Sequence, residues 1–172
     1  MARVAAYARW HLAEKPVVLR FERRLDAPIG VTPAATAVSV RGYAPPDWDD
    51  IQAEFYPLLQ QSEPDRRLFE MAPGPRACFV AAVDGRIRHY SWVHFEVEYP
   101  ALRRLAAGDA LIGPCFTHPD ARGLGVYAHV LTTICAELRR QGFRRALIET
   151  SRANTSSQRG IEKAGFRRCA SR

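Results

Sequence analysis

Residues 115–128 read CFTHPDARGLGVYA, and this stretch constrains the fold more than any other. An apolar strand runs through Pro119 into a loop holding Gly123 and Gly125, and a helix opens at once. Its apolar face is Val126, Val130, Leu131, Ile134, Cys135 and Leu138, and Gly142 suits a left-handed cap at its end. Two glycines at the mouth of a helix let backbone approach a ligand closely. The free N–H groups of the first turn and the helix dipole favour an anion there, and a diphosphate is the natural guest. Arg122 adds a fixed positive charge beside the turn. The segment lacks both the Walker lysine and the third glycine of the dinucleotide fingerprint. A glycine turn also precedes many helices for structural reasons alone, so context must decide.

The rest of the chain supplies that context. The pattern predicts an amphipathic helix over about 2–14, a strand in PVVLRFERRL, a loop through DAPIGVTPA and a second strand in TAVSVRGYA. Asp47 can cap a helix carrying Trp48, Ile51, Phe55 and Leu58, which Pro57 must kink or split. The period then changes to two: ACFVAAV, the turn Asp84-Gly85 and RIRHYSWVHFEVEY form a hairpin signature. A short helical segment, ALRRLAAG, leads to the strand DALIGPCFT, after which the order is strand, glycine loop, helix, strand, helix. This arrangement implies an α/β (α+β) fold: a mixed, mostly antiparallel sheet flanked by helices. We read residues 1–172 as one domain, with 1–40 an N-terminal extension of helix and strand.

A hydrophobic content of 47% with 25% charged residues suits a packed core, and no apolar run is long enough to span a bilayer. The reading is a soluble, cytoplasmic protein without membrane partners. Cys78, Cys115, Cys135 and Cys169 match no zinc or disulfide spacing and read as reduced, largely buried thiols, so no metal is expected. The net charge of +7, concentrated in arginines of the last third, calls for an anionic partner. Aromatic residues do not interleave with those arginines, which argues against nucleic acid and for a phosphorylated small molecule. The Ala- and Arg-rich composition points to a high-GC bacterial source.

Two motifs together resemble the GNAT acyltransferase superfamily. Its R/Q-x-x-G-x-G/A signature is matched by Arg122, Gly123, Leu124, Gly125, Val126 and Tyr127, with Tyr127 standing where a small residue is usual. After the strand RRALIET, the run SRANTSSQRGIEKAGFRR is similar to the family's N-x-x-[small]-x-x-x-Y-x-x-x-GF ending, with Asn154, Ser157, Gly165 and Phe166 on matching positions. The resemblance covers about 109–168, which would form an acyl-CoA-binding core. It implies acetyl-CoA, or another acyl-CoA, as co-substrate and a small-molecule amine as acceptor. By that resemblance the backbone of Phe116 and Thr117, at a splayed strand end, would hold the pantetheine arm, and the amides of 123–127 the pyrophosphate. Asn154 would contact the cofactor or serve as an ordinary N-cap; both readings stand.

Acyl transfer to an amine needs a base and is helped by an acid for the departing thiolate. Base candidates are Glu96, Glu98, Asp109 and His118, then His94; we expect the catalytic role at Glu96 or His118. The family's usual acid, a tyrosine in the last helix, is matched by Ile161, which has no proton to give. Tyr127 is the tyrosine nearest the motif, at the pyrophosphate end. Cys115 has no His/Asp pattern to activate it and reads as packing. Only six residues follow Phe166, where relatives usually add two strands. Either the N-terminal extension or a second subunit, in a homodimer, would fill that place. The alternative to an active enzyme is a catalytically weak or inactive acyl-CoA-binding regulatory module.

Overall fold

The computed structural model describes residues 18–43, 77–95 and 105–169. The helices expected over 2–14 and 47–59, together with Glu96 and Glu98, lie outside the described residues. The described strands are β1 (Val18–Arg24), β2 (Val38–Tyr43), β3 (Ala77–Val83), β4 (Arg86–Phe95), β5 (Asp109–Thr117), β6 (Arg145–Ser151) and β7 (Arg167–Arg168); the helices are α1 (Val126–Arg140) and α2 (Thr155–Lys163). All seven strands join one sheet in the order β2-β3-β4-β5-β6-β1-β7. Only the β5–β6 pairing is parallel. A parallel neighbour needs a crossover, and α1 provides it.

Each element follows from its residues. Asp84 and Gly85 both take positive φ, 51° and 71°, as a two-residue hairpin between right-twisted strands requires. The hairpin alternates between two buried faces. Val93, Phe79 and Ala81 point towards α1, whereas Cys78, Val80, Tyr90 and Trp92 form a second apolar cluster on the opposite face. The α1 stripe of Val130, Leu131, Ile134 and Leu138 is fully buried against Ile112, Ile148 and Phe21. Each such side chain contributes about 1.5–3 kcal/mol on leaving water. The helical reading of ALRRLAAG fails where it is described. Residues 105–108 form a turn, because Gly108 sits at φ 83° and the Arg144 side chain bonds the Ala107 carbonyl.

At the edge of the sheet β7 is two residues long, and β1 lies antiparallel between it and β6. The strand from the N-terminal part of the chain thus occupies the place beside β6. Phe21 pairs with Ile148 in the α1-facing core. On the other face Arg20 pairs with Glu149, and Arg145 bridges Glu22 and the buried Asp109. Arg23 also donates to the Ala164 carbonyl at the end of α2.

The feature that positions the site is a fork. β5 pairs with β6 only from Asp109↔Arg145 to Ile112↔Ile148, then leaves it while staying on β4 as far as Thr117. β6 continues to Ser151 beside β1. A wedge opens between the two parallel strands, with α1 and α2 at its mouth.

Candidate functional site

A cleft of about 550 Å³ occupies that wedge. Its first wall is the open edge of β5, residues Cys115–Thr117; its second is α2 through Asn154, Ser157 and Gly160; the glycine turn closes the end. The His118 N–H donates to the Arg88 carbonyl on β4. By the two-residue alternation of a strand, Phe116 also turns its backbone towards β4, and Cys115 and Thr117 direct theirs into the wedge. Pro114 has no N–H, so Cys115 carries the first amide past the fork that can face a ligand.

Gly123 and Gly125 both lie at φ 79°, which an L side chain adopts only with strain. Gly125 is the N-cap of α1 and has no side-chain cap. The first helical bond runs from the His129 N–H to the Gly125 carbonyl. Val126, Tyr127 and Ala128 therefore form an uncapped first turn, and all three line the cleft. Arg122 folds its Nε back onto the Thr117 carbonyl at 3.1 Å, standing at the mouth with its guanidinium exposed. Leu124 packs into the core instead, and its carbonyl is occupied by the Ala35 N–H.

Sequence reasoning missed two cations here, Arg159 and Lys163, which line the same cleft one helical turn apart on α2. Their four-residue spacing was the available signal. Lys163 Nζ lies 3.7 Å from where a Cβ on Gly125 would stand. Asn154 caps α2, its Oδ1 accepting from the Ser157 N–H at 3.1 Å, and it lines the cleft as well.

Tyr127 leaves the helix towards the opposite wall. Its ring lies on Gly160, where a Cβ would stand only 2.5 Å from Cδ1. Its hydroxyl is 3.5 Å from Ser157 Oγ and also touches the Cys115 side chain. The phenol thus crosses the floor of the wedge rather than staying at the glycine turn. Burial holds its pKa well above the ordinary value, so it keeps its proton. Ile161 is wholly buried in the core.

The remaining titratable residues divide by location. His89, which the sequence reading passed over, is fully buried with Nδ1 2.7 Å from Thr117 Oγ1 and Nε2 2.8 Å from Ser91 Oγ. Burial pushes its pKa down to about 3, so it is neutral and fixes the Thr117 side chain. His94 bonds the Gly113 carbonyl through Nε2 at the point where β5 leaves β6, and burial lowers its pKa. Nε2 must donate to that carbonyl, which leaves Nδ1 an unprotonated, buried nitrogen with no hydrogen-bond partner among the described residues. His118 does not line the cleft: its Nδ1 accepts from Arg88 at 3.3 Å and caps the turn at Pro119–Ala121. Asp109 is held by Nε and Nη2 of Arg145. The four cysteines form no disulfide with one another; Cys78 and Cys135 are buried, whereas Cys115 and Cys169 are half-buried.

The sequence matches the model of the acetyltransferase (GNAT) family over residues 46–166. No curated protein matches the chain. Among solved structures, a GCN5-related N-acetyltransferase from Sphaerobacter thermophilus is similar at TM-score 0.58 and 17% identity, over 96% of this chain and 53% of that one. An acetyltransferase of the family from Novosphingobium aromaticivorans gives 0.53 and 18%, over 88% and 61%. The chain therefore spans only about half to three-fifths of those two proteins. The aminoglycoside N-acetyltransferase AAC(6')-Iy, solved in complex with CoA, gives 0.60 and 17% over 82% of this chain and 95% of its own. At these identities the likeness is one of fold.

Proposed function

Because the chain belongs to the acetyltransferase (GNAT) family, we propose that it transfers an acetyl group from acetyl-CoA to the amine of a small molecule. The observation that carries this reading is the forked sheet with an uncapped, glycine-opened helix at its mouth. The amides of 123–127 would take the diphosphate, with Arg122, Arg159 and Lys163 supplying positive charge around it. The pantetheine arm, itself an amide chain, would pair with the open edge of β5 at Thr117 and Cys115. Phe116 contributes its ring, stacked on Tyr90, rather than its backbone.

The chemistry follows from the same edge. The amine attacks the thioester carbonyl, the C–N bond forms, and negative charge develops on the oxygen, which the Cys115 N–H is oriented to receive. The C–S bond then breaks, the electron pair stays on sulfur, and sulfur takes a proton while the amine loses one. Tyr127 is the protonated hydroxyl beside Cys115 and serves as the donor in the role Ile161 cannot fill. Glu96 is kept as the proposed base; His118, committed to Arg88 and Asp120, is the weaker of the pair.

A second reading, acyl-CoA binding without transfer, draws on Ile161 at the usual tyrosine position and on the short β7. Thiol release from acetyl-CoA, followed against a panel of aminoglycosides, polyamines and amino sugars, separates the two. Amine-dependent release supports the enzyme; saturable binding with no release under any amine supports the binding module.

A further inference from the structure

The family match begins at residue 46, yet part of the cleft is held by residues well before it. Between β1 and β2 the chain passes over the start of α1. There the Thr32 N–H donates to Thr132 Oγ1 at 2.9 Å, and His129 Nδ1–H donates to the Thr32 carbonyl at 2.9 Å. Three residues on, the Ala35 N–H donates to the Leu124 carbonyl at 2.8 Å. Pro33 O and Ala34 Cα lie 3.6 and 3.5 Å from where a Cβ on Gly125 would stand. Thr132 is buried, and its hydroxyl gives its own proton to the Ala128 or His129 carbonyl, leaving its lone pairs for Thr32.

The peptide plane turns these contacts into a consequence for the ligand. In a trans peptide the carbonyl of one residue and the N–H of the next point in opposite directions. Holding the Leu124 carbonyl against the segment therefore aims the Gly125 N–H away from it, on the side where Gly123 and Gly125 border the cleft. With both glycines at positive φ and no side-chain cap, little else restrains that plane.

We infer that Thr32–Ala35 is a positioning strap for the diphosphate-binding turn, anchored on α1 by Thr132 and His129, so that the segment ahead of the family's core sets affinity for acyl-CoA. The inference rests on the acyl-CoA reading above. Calorimetric titration of the full chain with acetyl-CoA tests it, using Thr132→Val, Thr132→Ser and Ala35→Pro, the last of which deletes the N–H bonded to Leu124. Thr132→Val and Ala35→Pro are expected to weaken acetyl-CoA about five- to tenfold, the loss of one oriented donor, with circular-dichroism melting close to wild type. Thr132→Ser, which keeps the hydroxyl, stays within about twofold of wild type. Wild-type binding with both disruptive variants unchanged overturns the strap alone. No binding by the wild-type chain overturns the acyl-CoA reading and the strap with it.

Discussion

Tyr127 and Gly160 form a single unit split between two helices, and each accounts for the other. A tyrosine at the end of the glycine signature departs from the usual small residue, and its ring has room only because position 160 carries no Cβ. Gly160→Ala should therefore displace Tyr127 despite the roughly 1 kcal/mol of helix propensity it gains. Adding Tyr127→Ala to that variant should relieve the conflict, giving non-additive stabilities in a double-mutant cycle by denaturant unfolding. Tyr127→Phe keeps the ring and removes only the hydroxyl. The expected result is a fall in kcat of about 10² with the acetyl-CoA Kd nearly unchanged. His89 supports a prediction about pH. Its folded pKa of about 3 lies below the unfolded value near 6.5, so between those limits the unfolded chain binds a proton that the folded one refuses. Stability is full above about 6.5 and falls as pH drops, by roughly 2 kcal/mol between pH 7 and 5, with His94 adding in the same direction. Urea unfolding at the two pH values measures this, and a His89→Asn chain should show a flatter dependence.

At the level of elements, the fork between β5 and β6 does what no single side chain could, exposing strand backbone inside a sheet without leaving it unsupported. β4 keeps its bonds to one edge of β5 while the other edge is presented to the cleft. Arg145 secures the closed end, joining Asp109 on β5 and Glu22 on β1 from its place on β6. Arg145→Met should cost about 3 kcal/mol, because Asp109 is left as a buried, unpaired carboxylate, and denaturant midpoints would report it. Much of this was legible in advance. The Asp84-Gly85 hairpin, the α1 stripe and the glycine turn are local patterns, and local patterns write themselves into spacing. The fork has no signature in residue type, since it depends on where pairing stops; only the family resemblance implied a splayed strand end there. The path of the Tyr127 side chain was hidden too, because it depends on a glycine thirty-three positions away in α2. Arg159 and Lys163 show their four-residue spacing in the sequence, but nothing there says which face of α2 meets the cleft.

The whole molecule departs from a simple reading in how it finishes its sheet. The last described strand is two residues long, and β1, from an early part of the sequence, covers the edge of β6 that would otherwise be open. Leu19, Phe21 and Leu25 bury their side chains in doing so. Removing residues 1–25 should therefore expose both an apolar stripe and an unpaired strand edge, and the product should aggregate or unfold rather than remain a stable monomer by light scattering and circular dichroism. Because the segment that follows β1 also carries the strap, sheet completion and the cleft are built from one continuous stretch of chain. In the proposed function, backbone N–H groups at the mouth of α1 would grip the diphosphate of an acyl-CoA. Amide chemical shifts followed by NMR during an acetyl-CoA titration address it most directly. The account predicts saturable shifts concentrated at Gly123 to Tyr127, with a second group at Cys115 and Thr117; titration that leaves the amides of 123–127 unmoved would contradict it.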